Sequence, residues 1–133
     1  MTLRPRGRNI KRPEQDLQIQ IADFLRVAPI PLAQWWHVPN GVGMSKTQRA
    51  MRQKMGLTPG VHDLHFAWAG MPPNYIGMFG TIELKAKDGR ATAAQMNFGY
   101  DLIACGHRWA ECKSLDEVIE TLKRWGFPLR ATA

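Results

Sequence analysis

Apolar residues recur at helical spacing from Pro13 onward, at Leu17, Ile21, Phe24 and Leu25, until Pro29 interrupts them; this predicts a first helix with Pro13 in its first turn. Gln34-Trp35-Trp36-His37-Val38 is aromatic and β-branched enough for a strand, and Pro39-Asn40-Gly41 ends it. Ser45-Lys46-Thr47-Gln48 has the spacing of a capping box and opens a short helix that Gly56 closes. Pro59 and Gly60 suit the centre of a type II turn. That turn launches a strand with Leu64, Phe66 and Trp68 on one face and Val61, Asp63, His65 and Ala67 on the other. In the run from Gly80 to Ala86, Ile82 and Leu84 share a face, and Glu83 and Lys85 share the opposite one. Thr92-x-x-Gln95 again has capping-box form and heads a helix reaching Cys105, ended by Gly106. Arg108 to Cys112 reads as a fourth strand. Ser114-x-x-Glu117, with Leu115, Val118, Ile119 and Leu122 at helical spacing, starts a last helix closed by Gly126.

The predicted order is helix, strand, short helix, strand, strand, helix, strand, helix. A strand followed by a long helix and another strand implies a right-handed crossover and parallel pairing between the Lys85 and Trp109 strands. The expected fold class is α/β, with a central four-stranded mixed sheet flanked by helices. A chain of 133 residues suits one domain, placed at 13–133 behind a basic arm at 1–12. With 44% hydrophobic and 22% charged residues the composition is that of a globular protein. There is no internal repeat and no low-complexity segment.

Charge narrows the class of partner. The formal net charge is +7, and before Gly60 there are ten Lys or Arg against three acidic residues. Such a field attracts polyanions, nucleic acid first and an anionic membrane surface as a distant rival. No apolar run approaches the ~20 residues of a membrane span, and the Arg-rich start lacks the apolar core of a secretory signal. The expected location is cytoplasmic, in a bacterial or phage-infected cell, with Cys105 and Cys112 as reduced thiols. The expected binding face for phosphate is Lys46 with Arg49 on the short helix, aided by Lys87 in the turn after the second acidic strand.

The candidate chemistry lies between Gly56 and Gln95. If the two acidic strands are neighbours, Asp63, Glu83 and Lys85 converge on one patch. Two carboxylates and a backbone carbonyl form part of a Mg²⁺ or Mn²⁺ shell that waters complete. A lysine beside it can position water or offset charge developing on a phosphate oxygen, which is the chemistry of phosphodiester hydrolysis. Neither Asp63 nor Glu83 is expected to support the core. Glu-x-Lys by itself reads first as a solvated pair at a strand edge; the balance reverses only with its combination with Asp63, the Pro-Gly turn, Gln95 and the basic charge. A zinc site built on Cys105, His107 and Cys112, or on His62 and His65, is the first rival. Its histidines, three apart on a strand, should face opposite ways, and the expectation is core cysteines with polar surface histidines. The second rival is a non-catalytic basic DNA-binding module, which has no use for acids on its binding face unless a cation intervenes.

Gly-Leu-Thr-Pro-Gly-Val-His-Asp-Leu, followed by Ile-Glu-Leu-Lys-Ala and then Gln95, resembles the VRR-NUC branch of the PD-(D/E)xK nuclease superfamily. The resemblance spans roughly residues 13 to 125, and the predicted order is similar to the αβββαβ core of restriction-endonuclease-like folds. His62 departs from the pattern, standing where the family often has proline. What the resemblance implies is a Mg²⁺- or Mn²⁺-dependent DNA endonuclease leaving 5′-phosphate ends. Asp63, Glu83, the Leu84 carbonyl and Glu14 would hold the metal, and Lys85 and Gln95 would lie at the reacting phosphate. Glu14 falls two turns before Ile21 on the apolar stripe; it either complements the helix dipole or reaches the site. Asn40 matches the polar residue the family places after the first strand. Stand-alone members of the family, together with a surface too small to read sequence, suggest a homodimer acting on branched DNA, a four-way (Holliday) junction above all. Of Trp35, Trp36 and Trp125, most are expected in the core, and any left exposed would be available for the subunit contact.

Overall fold

The structure is a computed structural model describing residues 13–27, 32–39 and 43–129. The arm at 1–12 and Asn40 lie outside the described residues. Four helices and four strands follow one another as α1 (Pro13–Val27), β1 (Ala33–His37), α2 (Lys46–Lys54), β2 (Leu64–Ala69), β3 (Gly77–Leu84), α3 (Ala93–Ala104), β4 (Arg108–Cys112) and α4 (Leu115–Trp125).

The strands form one sheet in the order β1-β2-β3-β4. The first two junctions are antiparallel and the β3–β4 junction is parallel, so the sheet is mixed as expected. Register follows from burial: Leu64, Phe66 and Trp68 alternate with half-buried neighbours, and a slip of one residue would turn all three to the other face. Leu64 lies opposite Ile82, and Ile82 lies opposite Ala110. This face meets α1 and α4 through Leu17, Ile21, Leu25, Val118 and Leu122, and Phe127 closes the core.

The opposite face carries Trp36, His65, Phe79, Thr81, Glu83 and Trp109, as alternation along paired strands requires. Helix α3 covers the β3–β4 half of it. The approach is close because Gly99 has no side chain: a methyl there would overlap the indole of Trp109. Trp36 at the β1 end keeps 41% of its surface exposed.

Helix termini account for the local boundaries. Ser45 and Thr92 each form complete capping boxes, with Gln48 and Gln95. Ser114 caps α4 differently: its hydroxyl accepts from the Glu117 amide, while the Glu117 carboxylate takes the amide of Lys113 at 2.6 Å. Gly126 ends α4 in the left-handed conformation. α2 is capped but buries none of its residues. Among the described residues, no helix is long and apolar enough to cross a membrane.

Candidate active site

β2 begins at Leu64, opposite Ile82, so the regular ladder between β2 and β3 stops short of Leu84. Asp63 occupies the place beyond it. Its Oδ2 accepts the amide of Leu84 at 2.8 Å, and its own amide donates to Glu83 Oε2 at 3.2 Å. Within an extended strand the amide and carbonyl of one residue leave on the same side, so the Leu84 carbonyl is also directed toward Asp63. Lys85, one residue past the strand, places its Nζ 3.5 Å from Glu83 Oε1. The three residues expected to converge are therefore together at one end of the sheet.

Gln95 joins them. Its Oε1 accepts the Thr92 amide at 2.8 Å as the cap of α3, and its Nε2 donates to Glu83 Oε1 at 2.6 Å. The capping role and the site role are carried by the two ends of one amide group. Glu14 comes from α1, where Oε1 lies 3.4 Å from the amide of Ala86. It stands at the margin of the patch. Lys46 and Arg49 are exposed on α2, and Lys87 is exposed in the turn after β3, its carbonyl accepting from Lys113 Nζ at 3.0 Å.

Glu83 differs from expectation in being a buried residue, 2% exposed, on the face that α3 covers. Burial, and then the neighbouring charge of Asp63, push its carboxyl up to about 8, although Lys85 pulls the other way. The Asp63 carboxyl is also raised, chiefly by burial and against the pull of its bond to Leu84. Two acids held together with too little counter-charge are a site that a divalent cation would relieve. Among the described residues, no three His, Cys, Asp or Glu side chains converge on one point, so the protein would contribute two carboxylates and a carbonyl, with water completing the shell. The donor set is all oxygen, which fits Mg²⁺ or Mn²⁺.

The zinc alternative has no such support. Cys112 is buried beside Thr121, whereas Cys105 is exposed at the end of α3, contrary to the expectation of two core cysteines. The histidines also depart from expectation. His62 is fully buried, and it shares the α3 side with His65; both rings lie against Phe98. The alternation that would separate them starts only at Leu64, so His62 is free of it. Burial lowers the pKa of each ring, favouring the neutral form.

Two residues at the site had no clear signal in the sequence. One is His62. The other is Glu111, which lies opposite Glu83 across the β3–β4 ladder, with an enclosed Oε1 that has no hydrogen-bond partner among the described residues. Only its place in β4 could have pointed to it.

No protein-family profile matches the chain, and no curated protein matches it. The fold does match that of a solved structure described as a VRR_NUC domain protein, with a TM-score of 0.64 and 20% identity, over 86% of this chain and 88% of that chain. The chain thus has the α/β fold of a VRR_NUC domain.

Proposed function

We propose that this protein is a nuclease that hydrolyses DNA phosphodiester bonds with the help of Mg²⁺ or Mn²⁺. The observation that carries the reading is the meeting of Asp63 and Glu83 across the β2–β3 junction, with Lys85 and Gln95 on the same carboxylate. Asp63, Glu83 and the Leu84 carbonyl would hold the metal, and Glu14 would bear on it from the margin. When bound, the metal supplies Lewis acidity, acidifying water and offsetting phosphate charge. Lys85 stabilises the charge that develops on the phosphate oxygens. Gln95 keeps Glu83 turned toward Asp63.

The fold likeness to a VRR_NUC domain supports the reading. So does α2, with Lys46, Arg49, Arg52 and Lys54, no acidic residue and no buried one; it is a phosphate-binding element in this proposal. Branched DNA is the proposed substrate. Trp36 is held edge-on to His65, on the same sheet face as Glu83 and two strands from Thr81. At ~4.8 Å per strand Trp36 lies on the order of 10 Å from Thr81, itself two residues before Glu83, and an unpaired base at a branch could stack on it. The proposed homodimer would present two such sites to the two-fold symmetry of a four-way junction. Trp35 and Trp125 pack against the core, which leaves Trp36 as the exposed member of the three.

The test is a cleavage panel of duplex, single-stranded, flap and four-way DNA, with and without Mg²⁺ or Mn²⁺, beside sedimentation of the protein at micromolar concentration. Metal-dependent cutting with the junction preferred, by a dimer, is expected. DNA binding without cutting under any metal would leave a basic binding module. Equal cutting of duplex and junction by a monomer would remove the branched-DNA and dimer parts of the proposal.

A further inference from the structure

His62 ties together three segments of the chain. Its Nε2 lies 2.8 Å from the carbonyl of Gln95 in the first turn of α3, and its Nδ1 lies 2.6 Å from Thr81 Oγ1 in β3. Its backbone belongs to the segment that delivers Asp63. The ring is fully buried, between Phe98 at 4.9 Å and Trp109 at 4.9 Å. A carbonyl is an acceptor only, so Nε2 must carry a proton; in the neutral ring Nδ1 is then bare and accepts from the Thr81 hydroxyl. One tautomer satisfies both partners, and an apolar side chain of the same volume satisfies neither.

The same segment is pressed onto α3 a second way. Gly60 has φ +82°, and a Cβ there would run into the backbone of Ala94. The 59–63 segment is therefore seated on the first turn of α3 at two points, Gly60 by contact and His62 by hydrogen bond. That turn contains Gln95, whose side chain grips Glu83 at 2.6 Å. Thr81 lies two residues before Glu83 on the same face of β3.

We propose that His62 is a positioning residue for the acidic site: through the Gln95 carbonyl and the Thr81 hydroxyl it fixes the Gln95 amide against Glu83 and holds Asp63 in reach of both. The inference rests on the nuclease reading for its consequence but not for its geometry. Residues that orient metal-binding side chains typically change metal affinity or activity by about 10- to 100-fold when removed.

The test compares the wild-type protein with His62→Phe, His62→Gln and Thr81→Val. Phenylalanine keeps the ring and loses both hydrogen bonds, glutamine can again donate to the Gln95 carbonyl, and valine removes only the hydroxyl. Two measurements are read: the NMR signals of the His62 ring nitrogens and Gln95 side-chain amide, and Mn²⁺ affinity by titration. The expected result is an Nε2-protonated ring, a Gln95 amide resonance displaced in His62→Phe and restored in His62→Gln, and Mn²⁺ affinity about tenfold weaker in His62→Phe, with most of it recovered in His62→Gln. DNA affinity in EDTA should be the same for all four proteins. A Gln95 amide signal unaltered in both His62→Phe and Thr81→Val, or a ring protonated on Nδ1, would overturn the proposal. A wild-type protein that neither binds Mn²⁺ nor cuts DNA would reject the nuclease reading, and the Gln95 resonance would still decide for or against the positioning role of His62.

Discussion

Asp63 and Glu83 hold each other's strands crosswise. The carboxylate of Asp63 takes the β3 amide of Leu84 at 2.8 Å, and the carboxylate of Glu83 takes the amide of Asp63 at 3.2 Å. Each acid thus serves as the backbone partner that the other strand lacks where the β2–β3 ladder ends, and the same bonds bring the two carboxylates together.

Asp63→Asn should separate these duties. The amide oxygen still accepts from Leu84, so the fold should hold while metal-dependent cleavage is lost. Asp63→Ala should lose cleavage and also about 1–3 kcal/mol of stability, because the Leu84 amide is left enclosed without a partner. Urea denaturation beside a cleavage assay tests both. Near-normal cutting by a folded Asp63→Asn protein would remove Asp63 from the metal site.

Glu83 sets a pH dependence whose sign is opposite to that of an ordinary ion-paired acid. Its carboxyl is pushed up to about 8 in the fold, from 4.5. Between those values the folded state binds a proton that the unfolded state has released, so stability without metal falls as pH rises from about 4.5 to 8 and levels off above. The raised carboxyl of Asp63 acts in the same direction. Glu83→Gln, which stays neutral, should show a flatter profile over pH 5 to 8 in EDTA, whatever its absolute stability after one acceptor oxygen becomes an NH2 group. Thermal melts across that range test this; parallel profiles for the two proteins would count against it.

Lys85 is the cation nearest the reacting phosphate in the proposed site. Lys85→Ala should reduce turnover by about 10²- to 10³-fold, the usual scale for one group that stabilises transition-state charge. DNA affinity in EDTA should hardly change. Single-turnover kinetics at saturating protein would show the loss in the chemical step, and an unchanged rate would make Lys85 a bystander.

Helix α2 can be stripped of charge without touching the core, because it buries none of its residues. Alanine at Lys46, Arg52 and Lys54 together should leave the melting temperature near that of the wild type. The slope of log affinity against log salt should become shallower by about 0.9 for each duplex phosphate that is no longer neutralised. Fluorescence anisotropy over a salt series measures it, and an unaltered slope would exclude α2 from the DNA interface.

Much of the fold is legible in the chain because its signals are local. The capping boxes at Ser45 and Thr92, the stop at Gly126 and the alternation of Leu64, Phe66 and Trp68 are each written in a few consecutive residues, and each is present in the structure. The meeting of Asp63 with Glu83 and Lys85 is legible one step further on. Strand parity names the face, and only the pairing of β2 with β3 has to be assumed.

His62 departs from expectation because its setting is assembled from distant parts of the chain. Its partners come from 19 and 33 residues away and its aromatic neighbours from α3 and β4, so nothing near position 62 distinguishes a buried, doubly bonded ring from a surface one. Cys105 departs for a related reason. Its burial depends on how far the end of α3 reaches past the sheet, which is a matter of packing angle and not of periodicity. Glu83 shows the same division within one residue. By itself the sequence determined which elements form and which face of each strand carries charge, because propensity, capping and alternation act over a few residues. Only the tertiary structure decided that the charged face of β3 would be roofed by α3, since burial, and with it the raised carboxyl and the shared Gln95 bond, depends on which surfaces the folded chain brings together.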